Sequence, residues 1–330
     1  MPYDLVTLGE AMIRLSPPSF RRLEQAESFD VQVGGGELNV AVAAARLGLS
    51  AAWVSRLPRQ ALGRMVANRA RLHGVDTSHV VWTDEDRVGL YFTEFGAAPR
   101  ASLVIYDRAG SATSRLQPGE VDWAQVLAGA RWFHTSGITP ALSDSCAQVT
   151  REAMAAARAA GARTSFDVNY RKRLWSPEQA GRVCTELVAR TDVLITTEED
   201  TNVVFGIKGE DYRDIAHQLA DRFGFQAVAI TIRTNPLVWQ NTWTALAYAG
   251  GKFYDTRTYT VEIVDRVGAG DAFSGGFIYG WLATDGDIQY ALDFGVANSA
   301  LKHSVPGDLG WTTREEVEAL LQGGGMRIQR

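Results

Sequence analysis

The stretch Val264-Asp265-Arg266-Val267-Gly268-Ala269-Gly270-Asp271-Ala272-Phe273-Ser274-Gly275-Gly276 decides the fold of this chain. The β-prone residues Val261, Ile263 and Val264 run into a Gly-Ala-Gly turn, and an apolar, helix-like run follows from Ala272 to Ala283. Such a turn leaves backbone N–H groups unpaired at a helix start, beside the positive end of the helix dipole. This arrangement predicts a site for an anion, above all a phosphate.

Asp271 lies in the same turn, where a carboxylate facing a phosphate would be repelled. One resolution is that the carboxylate faces a second substrate and accepts a proton from it. An anion site with a carboxylate base beside it is what phosphoryl transfer to a hydroxyl requires. The alternative is an ordinary helix N-terminus with a glycine turn and an acidic first-turn residue.

Composition and charge exclude several classes of protein. The 330 residues are 46% hydrophobic and 22% charged, which is typical of a globular chain of one or two domains. A net charge of −5 favours neither nucleic acid nor an anionic membrane as a partner. Cys146 and Cys184 lack metal-ligand spacing and indicate buried thiols in a reduced compartment. Without a signal peptide or a long apolar run, we expect a cytoplasmic protein with no membrane partner.

The hydrophobic pattern predicts a parallel sheet. From about residue 121, short apolar strands alternate with helices, a pattern typical of a parallel sheet covered on both faces. The predicted strands are 5–9, 51–57, 132–135, 164–168, 192–196 and 227–231, with antiparallel edge strands in 242–262. The predicted helices are 37–47, 63–73, 143–160, 177–189, 212–223, 272–283, 288–303 and 312–322.

Two segments with period-two patterning, 12–33 and 81–107, predict a separate small sheet that acts as a lid. We therefore divide the chain into a core (1–11, 35–87 and 108–322), a lid (12–34 and 88–107) and a C-terminal tail (323–330). Apolar residues of the lid, Ile13, Phe92 and Val104, predict a homo-oligomer that packs through it.

A doubly wound sheet binds ligands beyond the carboxyl ends of its strands. Polar residues follow several predicted strands, although each of them could also be a helix cap or a turn residue. These segments are 34–39, 136–137, 167–171, 196–200, 231–235 and 265–271. The chain contains no GxxxxGK[ST] loop, no GxGxxG after the first strand, no HExxH and no GxSxG motif, which weakens the P-loop, dinucleotide, zinc and hydrolase interpretations.

Two arginines among these segments suit a substrate carboxylate. Arg108 follows the predicted hairpin and Arg171 follows a strand end, with Tyr91 and Tyr106 expected nearby. A guanidinium binds a carboxylate through two parallel hydrogen bonds. The alternative is that the arginines lie on the surface and that the tyrosines only pack within the lid.

From Leu5 to Trp311 the sequence resembles the ribokinase-like (PfkB) family of carbohydrate kinases. The resemblance rests on Asp265–Ile278, in which Arg266 replaces a small residue, and on Gly34–Ala41, in which Glu37 replaces a small residue or proline. It implies a doubly wound, mostly parallel α/β sheet flanked by helices, with a small β-sheet lid. It also implies that Gly268, Ala269 and Gly270 form the anion hole and that Asp271 is the base.

The resemblance further implies ATP and Mg²⁺ as cofactors and allows a monovalent cation. The family's Asn-x-x-Glu motif aligns with Thr197-Glu198-Glu199-Asp200, where Thr replaces Asn and Asp replaces Glu. We therefore expect Asp200 and Glu199 near the metal. The residues expected to contact the nucleotide are Thr197, Thr231, Arg233, Gly268, Gly270, Asn298 and Lys302.

Within the family, several segments look like the 2-keto-3-deoxygluconate kinase branch, notably 166–171 and 301–308. This likeness implies that a primary hydroxyl of a sugar acid is phosphorylated. The residues expected to hold that acid are Gly34, Gly35, Asn39, Tyr91, Tyr106, Arg108, Arg171 and Asp308, and we expect Glu37 to bear on substrate choice. The alternatives are a fructokinase or another sugar kinase of the family, a nucleoside or vitamin kinase, and a non-catalytic binding member.

Overall fold

The computed structural model of the protein describes residues 2–324, except the side chains of residues 235 and 236. Most of the predicted C-terminal tail, from residue 325 onward, lies outside the described residues.

Within residues 2–324 the chain forms fifteen strands and eleven α-helices. The strands are β1 (Leu5–Leu8), β2 (Met12–Ser16), β3 (Asp30–Gly34), β4 (Ala51–Val54), β5 (Arg56–Pro58), β6 (Val81–Thr83), β7 (Gly89–Glu94), β8 (Leu103–Asp107), β9 (Trp132–Ser136), β10 (Arg163–Asp167), β11 (Val193–Thr196), β12 (Ala227–Leu237), β13 (Gln240–Ala249), β14 (Lys252–Asp255) and β15 (Tyr259–Glu262). The helices are α1 (Gly36–Arg46), α2 (Ala61–Leu72), α3 (Trp123–Val126), α4 (Ile138–Ala141), α5 (Asp144–Ala159), α6 (Pro177–Val188), α7 (Glu198–Phe205), α8 (Tyr212–Phe223), α9 (Ala269–Ala283), α10 (Ile288–Lys302) and α11 (Arg314–Leu321).

Nine of these strands form one mixed sheet in the order β14-β13-β12-β11-β10-β9-β1-β4, with β15 pairing to β13. The pairs from β4 to β12 are parallel, and β13, β14 and β15 add an antiparallel edge. From β1 the chain passes through α1 to β4 on one side, and later returns to β9 on the other side of β1. This reversal is the switch point at which open α/β sheets bind ligands.

Alternating strand residues pack on opposite faces of the sheet. Leu5 and Trp132 belong to one hydrophobic cluster with helices α1, α9 and α10, whereas Val6 and Phe133 belong to a second cluster with α5, α6 and α8. Because both faces are covered by helices, the strands are apolar on both sides, as parallel strands usually are. The doubly wound α/β fold expected from the sequence is confirmed.

A separate four-stranded sheet has the order β3-β2-β7-β8, and its strands fall within the two segments predicted as the lid. We call this sheet the lid. Strand β2 pairs antiparallel with β3 and parallel with β7, and β7 pairs antiparallel with β8 in the predicted hairpin. Ile13, one of the three lid residues expected to pack between subunits, is 3% exposed and packs in the core cluster, so it is not available for such a contact.

Two further elements differ from the sequence-based expectation. Helix α7 follows the strand end at Thr196, where only polar site residues were expected. Thr197 is its N-cap, because the side chain accepts a hydrogen bond from the amide of Asp200 at 3.1 Å. Strand β12 extends to Leu237, well beyond the predicted end at residue 231, because it pairs along its length with β13.

Candidate active site

A cavity of about 1320 Å³ opens over the carboxyl ends of the parallel strands, between the main sheet and the lid. It contains nearly all the side chains expected at the site. The expected residues that line it are Gly34, Gly35, Asn39, Tyr91, Tyr106, Arg108, Arg171, Thr197, Glu199, Asp200, Thr231, Arg233, Gly268, Ala269, Gly270, Asp271 and Asp308.

The glycine turn before helix α9 lets neighbouring backbone pack closely against it and leaves amides accessible to a ligand. Gly268 is the N-cap and has φ of +83°, a left-handed conformation that favours glycine. A Cβ at Gly268 would also lie 2.0 Å from the carbonyl oxygen of Asp308. The amides of Gly270 and Asp271 belong to the first turn of α9, where amides have no partner within the helix. They are therefore available to a bound anion at the positive end of the dipole.

Asp271 lies where the N-termini of helices α1 and α9 converge. Its Oδ2 accepts a hydrogen bond from Asn39 Nδ2 at 2.6 Å, and Asn39 Oδ1 in turn accepts from the Gly35 amide at 3.2 Å. Burial raises the pKa of the Asp271 carboxyl to about 6, although the Asn39 hydrogen bond and the charge of Arg171 act in the opposite direction. A half-buried, oriented carboxylate that still ionises near neutral pH is suited to act as a general base.

Two more carboxylates approach the same point of the cavity. Burial raises the pKa of Asp167, at the end of β10, well above its ordinary value, and the charges of Asp271 and Asp200 raise it further. The pKa of Asp200 is also raised by burial, and Arg171 opposes that shift. Such mutual repulsion would be relieved by a cation between the groups. Among the described residues, no group of three His, Cys, Asp or Glu side chains has metal-ligand geometry.

The opposite end of the cavity lies under the lid. The rings of Tyr91 and Tyr106 are stacked with centroids 5.7 Å apart, and the Tyr91 hydroxyl donates to Asp308 Oδ2. A Cβ at Gly34 would lie 2.3 Å from that same carboxylate oxygen. Aromatic faces, a hydroxyl and a carboxylate are together suited to a polyhydroxylated ligand, because each polar group can bond a hydroxyl of fixed position.

Comparison with known proteins identifies this arrangement. Residues 3–311 match the model of the pfkB family carbohydrate kinases. The chain belongs to this family. The matched region includes both the glycine turn at 268–270 and the lid.

Two relatives and one solved structure show which members of the family this chain is similar to. The kinase is 43% identical to 2-dehydro-3-deoxygalactonokinase of Haloferax volcanii over all of both chains. It is 32% identical to 2-dehydro-3-deoxygluconokinase of Thermoproteus tenax, over 92% of this chain and 90% of the relative. The crystal structure of 2-dehydro-3-deoxygluconokinase from Thermotoga maritima has 42% identity and a TM-score of 0.94, and the match covers 97% of this chain and 99% of that one. The protein is thus a sugar kinase close to the 2-keto-3-deoxy sugar kinases.

Asn298 and Lys302 do not line the cavity of the kinase, contrary to the expectation that they contact the nucleotide. Both side chains are fully buried on helix α10, on the face that packs against α9. Asn298 Nδ2 donates to the carbonyl oxygen of Ala272 at 2.8 Å, and Lys302 Nζ donates to that of Asp265 at 3.1 Å. Their polar groups therefore stabilise the turn before α9 and its first residues, on the side away from the cavity.

Arg108 lines the cavity but carries a partner that the sequence did not reveal. Its Nε donates to Glu10 Oε2 at 2.8 Å, and its Nη2 forms an ion pair with the same oxygen. Glu10 is only 2% exposed and lies two residues after the end of β1, a strand-end position of the kind that predicted the other site residues. Arg171 instead donates Nη1 to the carbonyl oxygen of Tyr170 at 3.1 Å and is exposed in the cavity. The two arginines thus differ in electrostatic surroundings.

Glu37 is fully buried and does not line the cavity, so the expectation that it bears directly on the substrate is not supported. Its Oε1 accepts hydrogen bonds from the amide of Ser136 at 3.0 Å and from Thr139 Oγ1 at 2.8 Å. Burial raises the pKa of the Glu37 carboxyl. The residue ties the start of α1 to the end of β9.

Arg266, the unusual residue of the glycine turn, lies at the mouth of the cavity with Arg233. Its Nη2 donates to the carbonyl oxygen of Val238 at 2.6 Å, in the turn between β12 and β13. Burial lowers the pKa of its guanidinium, and the charge of Arg233 lowers it further. Arg266 therefore links the glycine turn to this hairpin.

Proposed function

We propose that this kinase transfers the γ-phosphoryl group of ATP to the primary hydroxyl of a 2-keto-3-deoxy sugar acid, namely 2-keto-3-deoxygluconate. The observation that carries the proposal is the Asp271 carboxylate, held by Asn39 at 2.6 Å beside the first-turn amides of α9. The carboxylate accepts the proton of the attacking hydroxyl, while the 268–270 turn, through the first-turn amides that have no partner within α9, receives the transferred phosphoryl group.

The proposed phosphoryl donor is ATP with Mg²⁺, as membership of the pfkB family implies. Asp200, Glu199 and the previously unassigned Asp167 line the cavity as hard oxygen donors. One or two carboxylates together with substrate phosphates are the usual surroundings of Mg²⁺, so these residues fit the ion. When bound, Mg²⁺ would neutralise charge on the phosphates. Thr231 and Arg233 also line the cavity, which supports their proposed role at the nucleotide.

The proposal of a sugar acid rests on the cations of the cavity. Arg171 faces the cavity, and within the described part of the chain no carboxylate is bonded to it, which supports this residue as the principal partner of the substrate carboxylate. Arg108, held by Glu10, presents its remaining N–H groups from the lid side. We propose that Tyr91, Tyr106 and Asp308 receive hydroxyl groups of the chain of the sugar acid.

A coupled assay with ATP tests the proposal across 2-keto-3-deoxygluconate, its galacto epimer, fructose and ribose. We expect turnover of the two acids and little of fructose or ribose. Preference for the galacto epimer would move the assignment to the substrate class named for the Haloferax relative, which is 43% identical. Turnover of fructose alone would favour a fructokinase, and turnover of a nucleoside or vitamin would favour that class. Turnover of no acceptor would indicate a binding member of the fold.

Omitting monovalent cations from the assay buffer tests whether the kinase needs one for activity.

We also propose that the kinase forms a homo-oligomer through the outer face of the lid. Large apolar side chains are exposed on this face, which is unusual for a surface that meets only water. They are Phe29, Val31, Leu103 and Ile105, each between 39% and 44% exposed. The described part of the chain contains no helix long and apolar enough to cross a membrane.

A further inference from the structure

Arg14 lies on strand β2 of the lid, yet its side chain is 3% exposed and points into the core. Its Nη2 donates to Asp265 Oδ2 at 2.6 Å, and its Nη1 lies 2.9 Å from Asp308 Oδ1. The two carboxylates are 1% and 3% exposed. One guanidinium therefore bridges two buried carboxylates that come from different loops of the core.

Asp265 connects Arg14 to the glycine turn. Its Oδ1 accepts from the amide of Val267 at 3.0 Å, one residue before Gly268. Its Oδ2 accepts from the amide of Gly307 at 3.0 Å as well as from Arg14. The same carboxylate thus orients the turn that forms the anion hole and the loop that carries Asp308.

Asp308 closes the connection from the other side. Its Oδ2 accepts from Tyr91 of the lid, and its carbonyl oxygen packs against Gly268 so closely that a Cβ there would lie 2.0 Å away. A shift of Asp308 would consequently disturb both the sugar end of the cavity and the anion hole. Arg14 and Tyr91 approach this carboxylate from adjacent lid strands, β2 and β7.

The cluster is also balanced in charge. Lys302 is fully buried next to it and donates to the carbonyl oxygens of Asp265 and Val305. Two cations and two carboxylates therefore lie behind the glycine turn, shielded from water. Burial would lower the pKa of the Arg14 guanidinium, but Asp308 and Asp265 outweigh burial and raise it. Without Arg14, Asp265 and Asp308 would lose the cation that bridges them, directly behind a site that receives phosphate.

We propose that Arg14 is a positioning residue for phosphoryl transfer, which couples lid strand β2 through Asp265 to the anion hole and through its second nitrogen to Asp308. The inference rests on the proposed function, because it concerns the same site. Neither the glycine turn nor the residues that line the cavity include Arg14, and it acts on the reaction through the two carboxylates.

The test compares Arg14→Met and Arg14→Lys with the control Arg100→Met. Arg100 is another lid arginine, and it pairs with Glu94 within the lid. We expect Arg14→Met to lower kcat about 100-fold at saturating substrates, because small misplacements of reacting groups cost that much. Arg14→Lys should recover part of the loss, since it keeps the charge but not the two-pronged fork. Arg100→Met should keep wild-type kcat.

A double-mutant cycle with Asp265→Asn separates positioning from general loss of structure. If Arg14 acts through Asp265, the double variant loses little more kcat than either single variant. Independent, multiplicative losses would overturn the proposal. Wild-type kcat in Arg14→Met would also overturn it. If Arg14→Met does not fold, Arg14→Lys decides, and wild-type kcat in that variant contradicts the coupling.

Binding of the non-hydrolysable analogue AMP-PNP with Mg²⁺ provides a readout that does not depend on the sugar. We expect Arg14→Met to bind it about tenfold more weakly than wild type and Arg14→Lys to bind it nearly as well. If wild-type protein turns over no acceptor, the proposed function fails, while this titration still decides the role of Arg14. Equal affinity of the wild type and Arg14→Met for AMP-PNP would overturn the proposed role of Arg14.

Discussion

At the scale of single residues, the site is organised around the ionisation of Asp271. The carboxyl is half-buried at the junction of two helix N-termini, and the hydrogen bond from Asn39 keeps its Oδ2 oriented. Because its pKa lies at about 6, most molecules carry the ionised form at neutral pH. A base with a pKa near the working pH is both available and strong enough to accept a proton.

Asp271→Asn should abolish most activity without unfolding the protein. Asparagine cannot accept the proton, and loss of a positioned base costs about 10²–10⁴-fold in kcat. Since the raised pKa means that the ionised carboxylate destabilises the folded state above about pH 6, the variant should be at least as thermally stable as wild type at pH 7.5. Steady-state kinetics and thermal unfolding check both statements. Near wild-type turnover would show that Asp271 is not the base.

The pH dependence of kcat/KM should have an acidic limb near pH 6. Protonation of Asp271 removes the base, so activity falls as the pH drops through its pKa. The profile should be measured with buffers of constant ionic strength. An acidic limb near pH 4, typical of an unperturbed carboxyl, would contradict the role assigned to this buried group.

Arg171→Ala and Arg108→Ala should separate binding from stability. Loss of a charge-assisted hydrogen bond costs about 1.5–3 kcal/mol, so Arg171→Ala should raise KM for the sugar acid about 10–100-fold with little effect on a neutral sugar. Arg108→Ala should have a similar bias and should also lower the unfolding free energy by about 3 kcal/mol, because Glu10 is left buried without its partner. Equal losses on acid and neutral sugars would contradict the carboxylate assignment.

At the scale of secondary-structure elements, the N-terminus of α9 places different requirements on two glycines that are separated by Ala269. Gly268 must be glycine because of its positive φ and its contact with Asp308. Gly270 has no atom within 4 Å of the position of a Cβ, so it is open toward the cavity. The sequence motif alone treats these residues alike, whereas the structure gives them different roles.

Substitution of these two glycines should therefore have opposite effects. Gly268→Ala forces a left-handed residue against a carbonyl oxygen and should destabilise the protein by about 2 kcal/mol or more. Gly270→Ala should keep or slightly raise stability, because alanine favours a helix, while its methyl group lowers ATP turnover. Thermal unfolding and kinetics of both variants check this contrast. A Gly270→Ala variant with full activity would argue against phosphate binding at this turn.

The elements themselves were largely predictable, because their signals are local. Strands from β9 to β12 and helices α5, α6 and α8 follow hydrophobic periods that a short window contains. Helix α7 was missed because its acidic first turn, 198–200, was interpreted as a metal motif. Its N-cap, Thr197, was visible in the sequence and is the signal that would have indicated the helix.

At the scale of the whole molecule, the lid and the core meet through both apolar and charged contacts. Phe20 and Phe95 of the lid pack on Trp239, in the turn between β12 and β13, while Arg14 and Tyr91 reach the buried carboxylates. The sugar end of the cavity is thus formed by two separate sheets. The reaction can be shielded from water only where these sheets come together.

The outer face of the lid should determine the oligomeric state. Ile105→Glu places a charge among exposed apolar residues and should convert the expected dimer into a monomer in gel filtration. Leu72→Glu is the matched control, since Leu72 is 65% exposed on the core helix α2, away from the lid. A monomeric wild type would contradict lid packing.

The sequence by itself determined the fold class, the enzyme class, the glycine turn and the carboxylate beside it, because turn chemistry and periodicity are encoded in neighbouring residues. Only the tertiary structure decided that Asn298 and Lys302 are buried supports, that Glu10 pairs with Arg108, and that Arg14 reaches Asp265 across 251 positions of the chain. These contacts depend on how segments distant in sequence pack together, so a local sequence pattern does not show which buried charged groups form pairs. At Asp271, local sequence supplied the carboxylate, and burial between two distant helices supplied its raised pKa.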